Sequence, residues 1–153
     1  MQITIRKSVA DDVKAIKRVL SLAHQDNTRK GYVFPAARIK LSKLREKMKK
    51  EIYYVLVFEK KIVGTVAIRR RNTYWEIGSL AVIPSYQKRG WGNKLLRYAE
   101  KKVKKQGGKR TGLFTIKRHP SLPSYYKKRG YQPVGKKSFQ SRKWMLLLKN
   151  LSK

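Results

Sequence analysis

A chain of 153 residues with 41% apolar content is long enough for one domain with a real core, which excludes a globally disordered protein. The lack of cysteine excludes a disulfide framework, a thiolate metal cluster and a cysteine nucleophile, and the two histidines, His24 and His119, lie far apart and form no metal-ligand motif. Forty Lys and Arg against eight Asp and Glu give a formal charge of +32, so the chain associates with polyanions whatever its task.

That charge has two readings. One is an anionic partner such as RNA, DNA or an acidic membrane. The other is a Lys-rich surface set by genome composition or by deliberate supercharging. The basic residues are spread over all segments rather than gathered in a stripe, which favours the second, although no acid occurs from Lys101 to Lys153. No run of 18 apolar residues exists, so no membrane span is expected. The opening Met1-Gln2-Ile3-Thr4-Ile5-Arg6 alternates like a strand and lacks the apolar stretch of a signal peptide, which predicts a cytoplasmic protein. Monomer and homodimer remain open.

Residues 2 to 7 read as a first strand. Ser8 and Asp11 are N-cap candidates for a helix in which Val13, Ile16, Val19, Leu20 and Ala23 recur at helical spacing. Residues 25 to 35 read as a loop. A second helix, about 36 to 50, carries Ile39, Leu41, Leu44 and Met48 among lysines. Ile52–Phe58 and Ile62–Ile68 read as a hairpin turned at Glu59-Lys60-Lys61, and a further strand runs from Trp75 to Ile83, ending at Pro84. A helix from about 90 to 106 buries Leu95, Leu96, Ala99 and Val103 and stops at Gly107-Gly108. Leu113–Ile116 is a short strand, Ser121–Arg129 a short helix closed by Gly130, Tyr131 onward a strand, and Trp144–Leu148 a last strand apolar enough to be central. The order β-α-α-β-β-β-α-β-α-β-β predicts a single α/β (α+β) domain over 1–153, with a mixed, mostly antiparallel sheet and helices on both faces.

The most informative stretch is Leu80-Ala81-Val82-Ile83-Pro84-Ser85-Tyr86-Gln87-Lys88-Arg89-Gly90-Trp91-Gly92-Asn93. A strand ends, and a short loop enters a long helix through two glycines. Free amides at a helix N-terminus suit a phosphate, glycine lets the anion approach the backbone, and Lys88 and Arg89 add charge. Glycines in a tight turn also serve purely steric ends. The pattern is neither a Walker loop nor a complete dinucleotide fingerprint, since Leu95 stands where a third glycine belongs.

Gln87-Lys88-Arg89-Gly90-Trp91-Gly92 resembles the Gln/Arg-x-x-Gly-x-Gly/Ala signature of the GNAT acetyltransferases, and Leu80-Ala81-Val82-x-Pro84 resembles the family's fourth strand. Tyr126-Lys127-Lys128-Arg129-Gly130-Tyr131 is similar to a second family segment, a short helix ending in Tyr-x-x-x-Gly-aromatic. The resemblance covers nearly the whole chain. It implies acetyl-CoA as co-substrate and no metal. The amides around Arg89 to Asn93, with Gln87 and Lys88, would hold the CoA pyrophosphate. The edge of Leu80, Ala81 and Val82 would pair with the pantetheine arm, and the Val82 amide would stabilise the developing oxyanion. The strand at 75–83 and the next one would splay apart to admit that arm, with Gly78 compatible with a bulge. Tyr126 would protonate the departing thiolate, while Tyr125, about 100° away on the helix, would point elsewhere and be mainly structural.

Glu76 matches the general base of histone-type members; its other reading is a carboxylate paired with a nearby cation. The sequence departs from the family where Ile116-Lys117-Arg118-His119-Pro120-Ser121 lacks the asparagine that many members use to position CoA, leaving His119 and Ser121 as substitutes or as plain surface residues. The expected reaction is acetyl transfer to a primary amine by direct attack, with Tyr32 and Phe34 of the 25–35 loop, and the region near Ser138-Phe139-Gln140, walling the acceptor. The alternative is an inactive GNAT scaffold that binds nucleic acid or another polyanion.

Overall fold

The computed structural model describes residues 2–139 and 142–151. Strands β1 (Ile3–Lys7), β2 (Ile52–Phe58), β3 (Lys61–Arg70) and β4 (Trp75–Val82) are consecutive antiparallel neighbours. β5 (Arg110–Ile116), β6 (Gln132–Phe139) and β7 (Arg142–Asn150) complete one seven-stranded sheet in the order β1-β2-β3-β4-β5-β7-β6. β7 is therefore interior, as its apolar run predicts. The mixed sheet is flanked by α1 (Val13–Ala23), α2 (Gln25–Arg29), α3 (Leu41–Lys50), α4 (Trp91–Lys105) and α5 (Leu122–Lys127).

Local sequence explains most of these elements. Val13, Ile16, Val19 and Leu20 form the buried stripe of α1, and Leu95, Leu96, Ala99 and Val103 that of α4. The β2–β3 turn is two residues long, because Phe58 pairs with Lys61. Glu59 and Lys60 adopt φ of 50° and 65°, the both-positive turn whose twist matches a hairpin. α4 lies close on the sheet because Gly64 of β3 has no side chain: a Cβ there would stand 2.9 Å from Leu95 and 3.2 Å from the Ala81 carbonyl. That close packing sets where the N-terminus of α4 points.

The structure corrects several expectations. Neither Ser8 nor Asp11 caps α1. A 3₁₀ turn over Ala10–Asp12 precedes the helix, and Asp12 makes the local contacts. Its carboxylate accepts the Val9 amide at 2.8 Å and pairs with Arg6 at 2.8 Å. The expected loop at 25–35 contains α2, and Pro35–Arg38 is a separate 3₁₀ turn, so the lysine-rich helix begins only at Leu41. β5 and β7 are longer than their apolar cores, since the ladder runs from Ile116–Trp144 out to Arg110–Asn150. The bulge falls at Ser79-Leu80 rather than Gly78. Ala67 pairs with Gly78 and Thr65 with Ala81, leaving two residues opposite one. Ser79 takes φ 51°, and its hydroxyl lies 3.1 Å from that of Tyr53.

β4 and β5 decide the layout of the site. They run parallel and, among the described residues, pair only at Trp75–Thr111 and Glu76–Gly112. Beyond that point they splay, and β4 keeps β3 as its neighbour while its other edge opens.

Candidate active site

A cavity of about 650 Å³ occupies the splay and reaches the N-terminus of α4. Gly90 caps that helix at φ 80°, a conformation that favours glycine. The Lys94 amide is the first to turn inward, to the Gly90 carbonyl at 3.1 Å. The amides of Trp91, Gly92 and Asn93 precede it and have no partner within the helix, so the helix dipole ends there in free donors. A Cβ on Gly90 would meet nothing within 4 Å, and one on Gly92 would meet only the Tyr125 hydroxyl at 3.8 Å. The backbone at both glycines is thus open to close approach, as an anion at this helix end would need.

The side chains of the same loop divide. Lys88 lines the cavity. Gln87 does too, but its Nε2 donates to the Val82 carbonyl at 2.8 Å, so it braces the loop against β4. Arg89 turns away: its guanidinium lies 5.3 Å from the Tyr86 ring and 5.1 Å from that of Trp91. The Trp91 ring is itself buried, 5.1 Å from Phe58. Arg89 and Trp91 therefore reach the cavity through backbone at most.

The open edge of β4 follows from one hydrogen bond. The Ile83 amide donates to the Val63 carbonyl of β3 at 2.9 Å. The Val82 carbonyl, across the same peptide, must then point to the opposite edge, where Gln87 holds it. In an extended residue the N–H and C=O point the same way, so the Val82 amide faces that edge as well.

Tyr126 and Tyr125 both line the cavity, although they are adjacent on α5. Their rings meet edge-on at 5.2 Å. Burial, and after it the neighbouring Tyr125, raises the Tyr126 phenol above its ordinary value, so it keeps its proton at neutral pH. Tyr125 is tied to the N-terminus of α4: the Arg129 guanidinium stacks 3.6 Å from its ring centroid and donates to its carbonyl at 2.9 Å and to Asn93 Oδ1 at 3.0 Å. The expectation that Tyr125 points elsewhere is thus corrected; α5 lies along the cleft mouth, so both rings border it.

The far half is walled by side chains from the α1–α2 junction, α2, β7 and two loops. Phe34 stacks on His24 at 4.7 Å and meets Trp144 edge-on at 5.6 Å. Asn27 joins His24 and His119, with Nδ2 3.2 Å from His24 Nδ1 and Oδ1 2.9 Å from His119 Nε2. His119 Nδ1 accepts the Ser121 and Leu122 amides at 3.2 Å each, capping α5. Burial lowers the His24 imidazole to about 4, with His119 adding to the shift, and burial also lowers His119. Both rings are neutral at pH 7.

Comparison with known proteins follows the same lines. The family described as acetyltransferase (GNAT) domain matches residues 22–148. The chain belongs to the GNAT acetyltransferase family. It is 26% identical over 137 residues to the S-alkylcysteine N-acetyltransferase of Bacillus subtilis (strain 168), covering 83% of this chain and 77% of that protein. Its fold matches the PaiA N-acetyltransferase from Thermoplasma acidophilum, solved in complex with coenzyme A, at TM-score 0.80 and 19% identity over 99% of this chain and all of that one. It also matches the ribosomal-protein-S18-alanine N-acetyltransferase from Escherichia coli at TM-score 0.81 and 16% identity, over 99% and 96% of the two chains. This GNAT protein is an acetyl-CoA-dependent N-acyltransferase.

In this GNAT chain the splay brings Leu80, Ala81, Val82, Gln87, Lys88, Gly90, Gly92, Asn93, Tyr126 and Phe34 around one cavity. Glu76 is not among its lining residues. It sits where β4 still pairs with β5, and its carboxylate accepts Arg71 Nη2 at 2.7 Å and Nε at 2.8 Å. Of the two readings of Glu76, the geometry fits the carboxylate paired with a nearby cation, because the strands have not yet parted at its position. Tyr32 stands behind the wall: its ring packs 4.8 Å from His119 and carries Arg118 at 5.4 Å. Ser138 and Phe139 belong to β6, and Gln140 lies outside the described residues.

His24, Asn27, Trp144 and Arg129 were missed as site residues. Arg129 had a signal, lying inside the Tyr126–Tyr131 motif; the other three had none, being isolated in sequence. No group of three His, Asp or Glu side chains suited to a metal occurs among the described residues, and no helix there is long and apolar enough to cross a membrane.

Proposed function

We propose that the enzyme moves the acetyl group of acetyl-CoA to the primary amine of a small α-amino acid by direct attack. One observation carries this reading: a single cavity joins the free amides of α4, the open edge of β4 and an aromatic-walled far half. The amides of Trp91 to Asn93 bind the pyrophosphate, with Lys88 and Arg129 adding positive charge at the mouth. The edge of Leu80, Ala81 and Val82 receives the pantetheine arm, and the Val82 amide faces the thioester oxygen. The neutral amine attacks the thioester carbonyl carbon. The C–S bond breaks, and the thiolate takes a proton from Tyr126 Oη, which is then replenished from solvent. The amine loses its proton to water, since Glu76 is held by Arg71. The buried phenol enters the step protonated, the form from which a general acid donates.

The acceptor class rests on the far half of the cavity. Its rings, Phe34, His24 and Trp144, suit a short apolar or thioether side chain, and the relative from Bacillus subtilis is named for an S-alkylcysteine. The test is steady-state acetylation of a panel of amino acids and amines, read as thiol release and by mass of the product, with calorimetry of acetyl-CoA at moderate salt. Expected are salt-resistant acetyl-CoA binding and N-acetylation of S-alkylcysteines. Binding that vanishes at moderate salt, as generic polyanion attraction does, would overturn the reading.

A further inference from the structure

The hydrogen bonds around Asn27 leave one assignment of protons. His119 Nδ1 accepts two backbone amides, Ser121 and Leu122, so it carries a lone pair. In a neutral imidazole the proton must then sit on Nε2, which donates to Asn27 at 2.9 Å. The facing atom of Asn27 is therefore its carbonyl oxygen, which sends the amide nitrogen to His24 Nδ1 at 3.2 Å. His24 Nδ1 accepts, and its proton is on Nε2. A backbone helix cap thus sets, through two side chains, which nitrogen of a third carries hydrogen. His24 lines the cavity, and its ring is held in place by Phe34 stacked at 4.7 Å.

The charge on this wall points the same way. Among the described residues Asp26 is the one acid lining the cavity, and it is exposed and paired with Lys30 at 3.1 Å. No described residue there is placed to hold a cation, whereas Lys88 and Arg129 line the same space.

We infer that His24 selects the acceptor, its Nε2–H donating to a carboxylate oxygen carried on the carbon that bears the reacting amine. The donor is fixed rather than adaptable, because reversing it would require Asn27 to turn and His119 to abandon the α5 cap. A carboxylate gains a charge-assisted hydrogen bond. An amine lacking the carboxylate leaves that donor unmet, in a cavity of net positive charge. His24 is thus a specificity-determining residue, and the inference rests on the amino-acid reading above.

The experiment compares an S-alkylcysteine with the amine left when its carboxylate is removed, in the wild-type enzyme, His24→Phe and His24→Gln. Phe keeps the stack on Phe34 and deletes the donor; Gln restores an N–H at similar reach. The wild-type enzyme should favour the amino acid in kcat/KM by about tenfold or more, the scale of one hydrogen bond to a charged group. His24→Phe should erase most of that preference through the acceptor KM, with the acetyl-CoA KM unchanged, and His24→Gln should recover part of it. Equal preference in wild type and His24→Phe, or no preference in wild type, would overturn the inference while leaving amine acetylation intact. If neither compound is acetylated, the functional reading fails. Calorimetric binding of the S-alkylcysteine to wild type and His24→Phe then decides the His24 assignment alone, which equal affinities would overturn.

Discussion

The two halves of the cavity are built from different materials. The half we assign to the acetyl donor is mostly backbone: the amides of Trp91, Gly92 and Asn93 and the edge of β4, supplied by one continuous stretch from Leu80 to Asn93. The half we assign to the acceptor is side chains: His24, Asn27, Phe34, His119 and Trp144, gathered from segments more than a hundred residues apart. A backbone site tolerates wide change in side chains provided its glycines stay. A side-chain site can be altered one residue at a time without touching the fold. The first suits a co-substrate shared across a family, the second an acceptor that differs from member to member.

The sharpest way to break this division is at its border. Tyr126→Phe keeps the ring and removes the proton. It should lower kcat by at least ~10²-fold, the scale of a positioned acid, with little change in acetyl-CoA affinity. A small kcat effect in steady-state assays would return Tyr126 to a packing role. Next comes the backbone cradle. Gly92→Val places a branched side chain where the anion must approach, beside the Tyr125 hydroxyl, and should weaken acetyl-CoA binding by roughly 30-fold or more. Calorimetry on the folded variant measures this; near-normal affinity would move the phosphate site elsewhere.

The acceptor half has a signature in stability as well as specificity. His24 titrates at about 4 in the folded chain, against about 6.5 when unfolded. Between those values the unfolded chain binds a proton that the folded one refuses, so stability is full above pH 6.5 and declines as pH falls toward 4. At pH 5 the loss amounts to about 2 kcal/mol. Asp12, lowered chiefly by its hydrogen bond from Arg6, loses its contribution only as pH falls through the carboxylate range and below. Thermal unfolding at pH 7.5 and pH 5 should therefore show a Tm drop in wild type exceeding that of His24→Phe by roughly 4–8 °C. Equal drops would mean that His24 is solvated rather than built into the wall.

The smallest effect is expected at Glu76. Glu76→Gln breaks an ion pair with Arg71 on the closed side of the splay, and kcat should stay within about twofold with an unchanged pH profile. A large loss that shrinks as pH rises would instead restore the general-base reading of this residue.

Much of the fold was legible because it is written in local terms. The stripes Val13-Ile16-Val19-Leu20 and Leu95-Leu96-Ala99-Val103 have helical period, and strand runs such as Ile52–Phe58 are bounded by turn residues. The strand-to-helix turn at the head of α4 was legible for the same reason: Gly90 and Gly92 enter a helix shortly after a strand, and backbone geometry is dictated by neighbours in sequence. Tertiary structure decided the rest. The residues 25–35 look like a loop because five residues of α2 are too few for periodicity to register. Arg89 reads as a phosphate ligand until Phe58, Tyr86 and Trp91 are seen to collect it. Glu76 matches a general-base position in sequence, yet β4 still pairs with β5 there and Arg71 holds its carboxylate. The chain from the α5 cap through His119 and Asn27 to His24 joins residues 92 apart in sequence. Each of its bonds depends on which atoms happen to be neighbours in space, and that is information no local pattern carries.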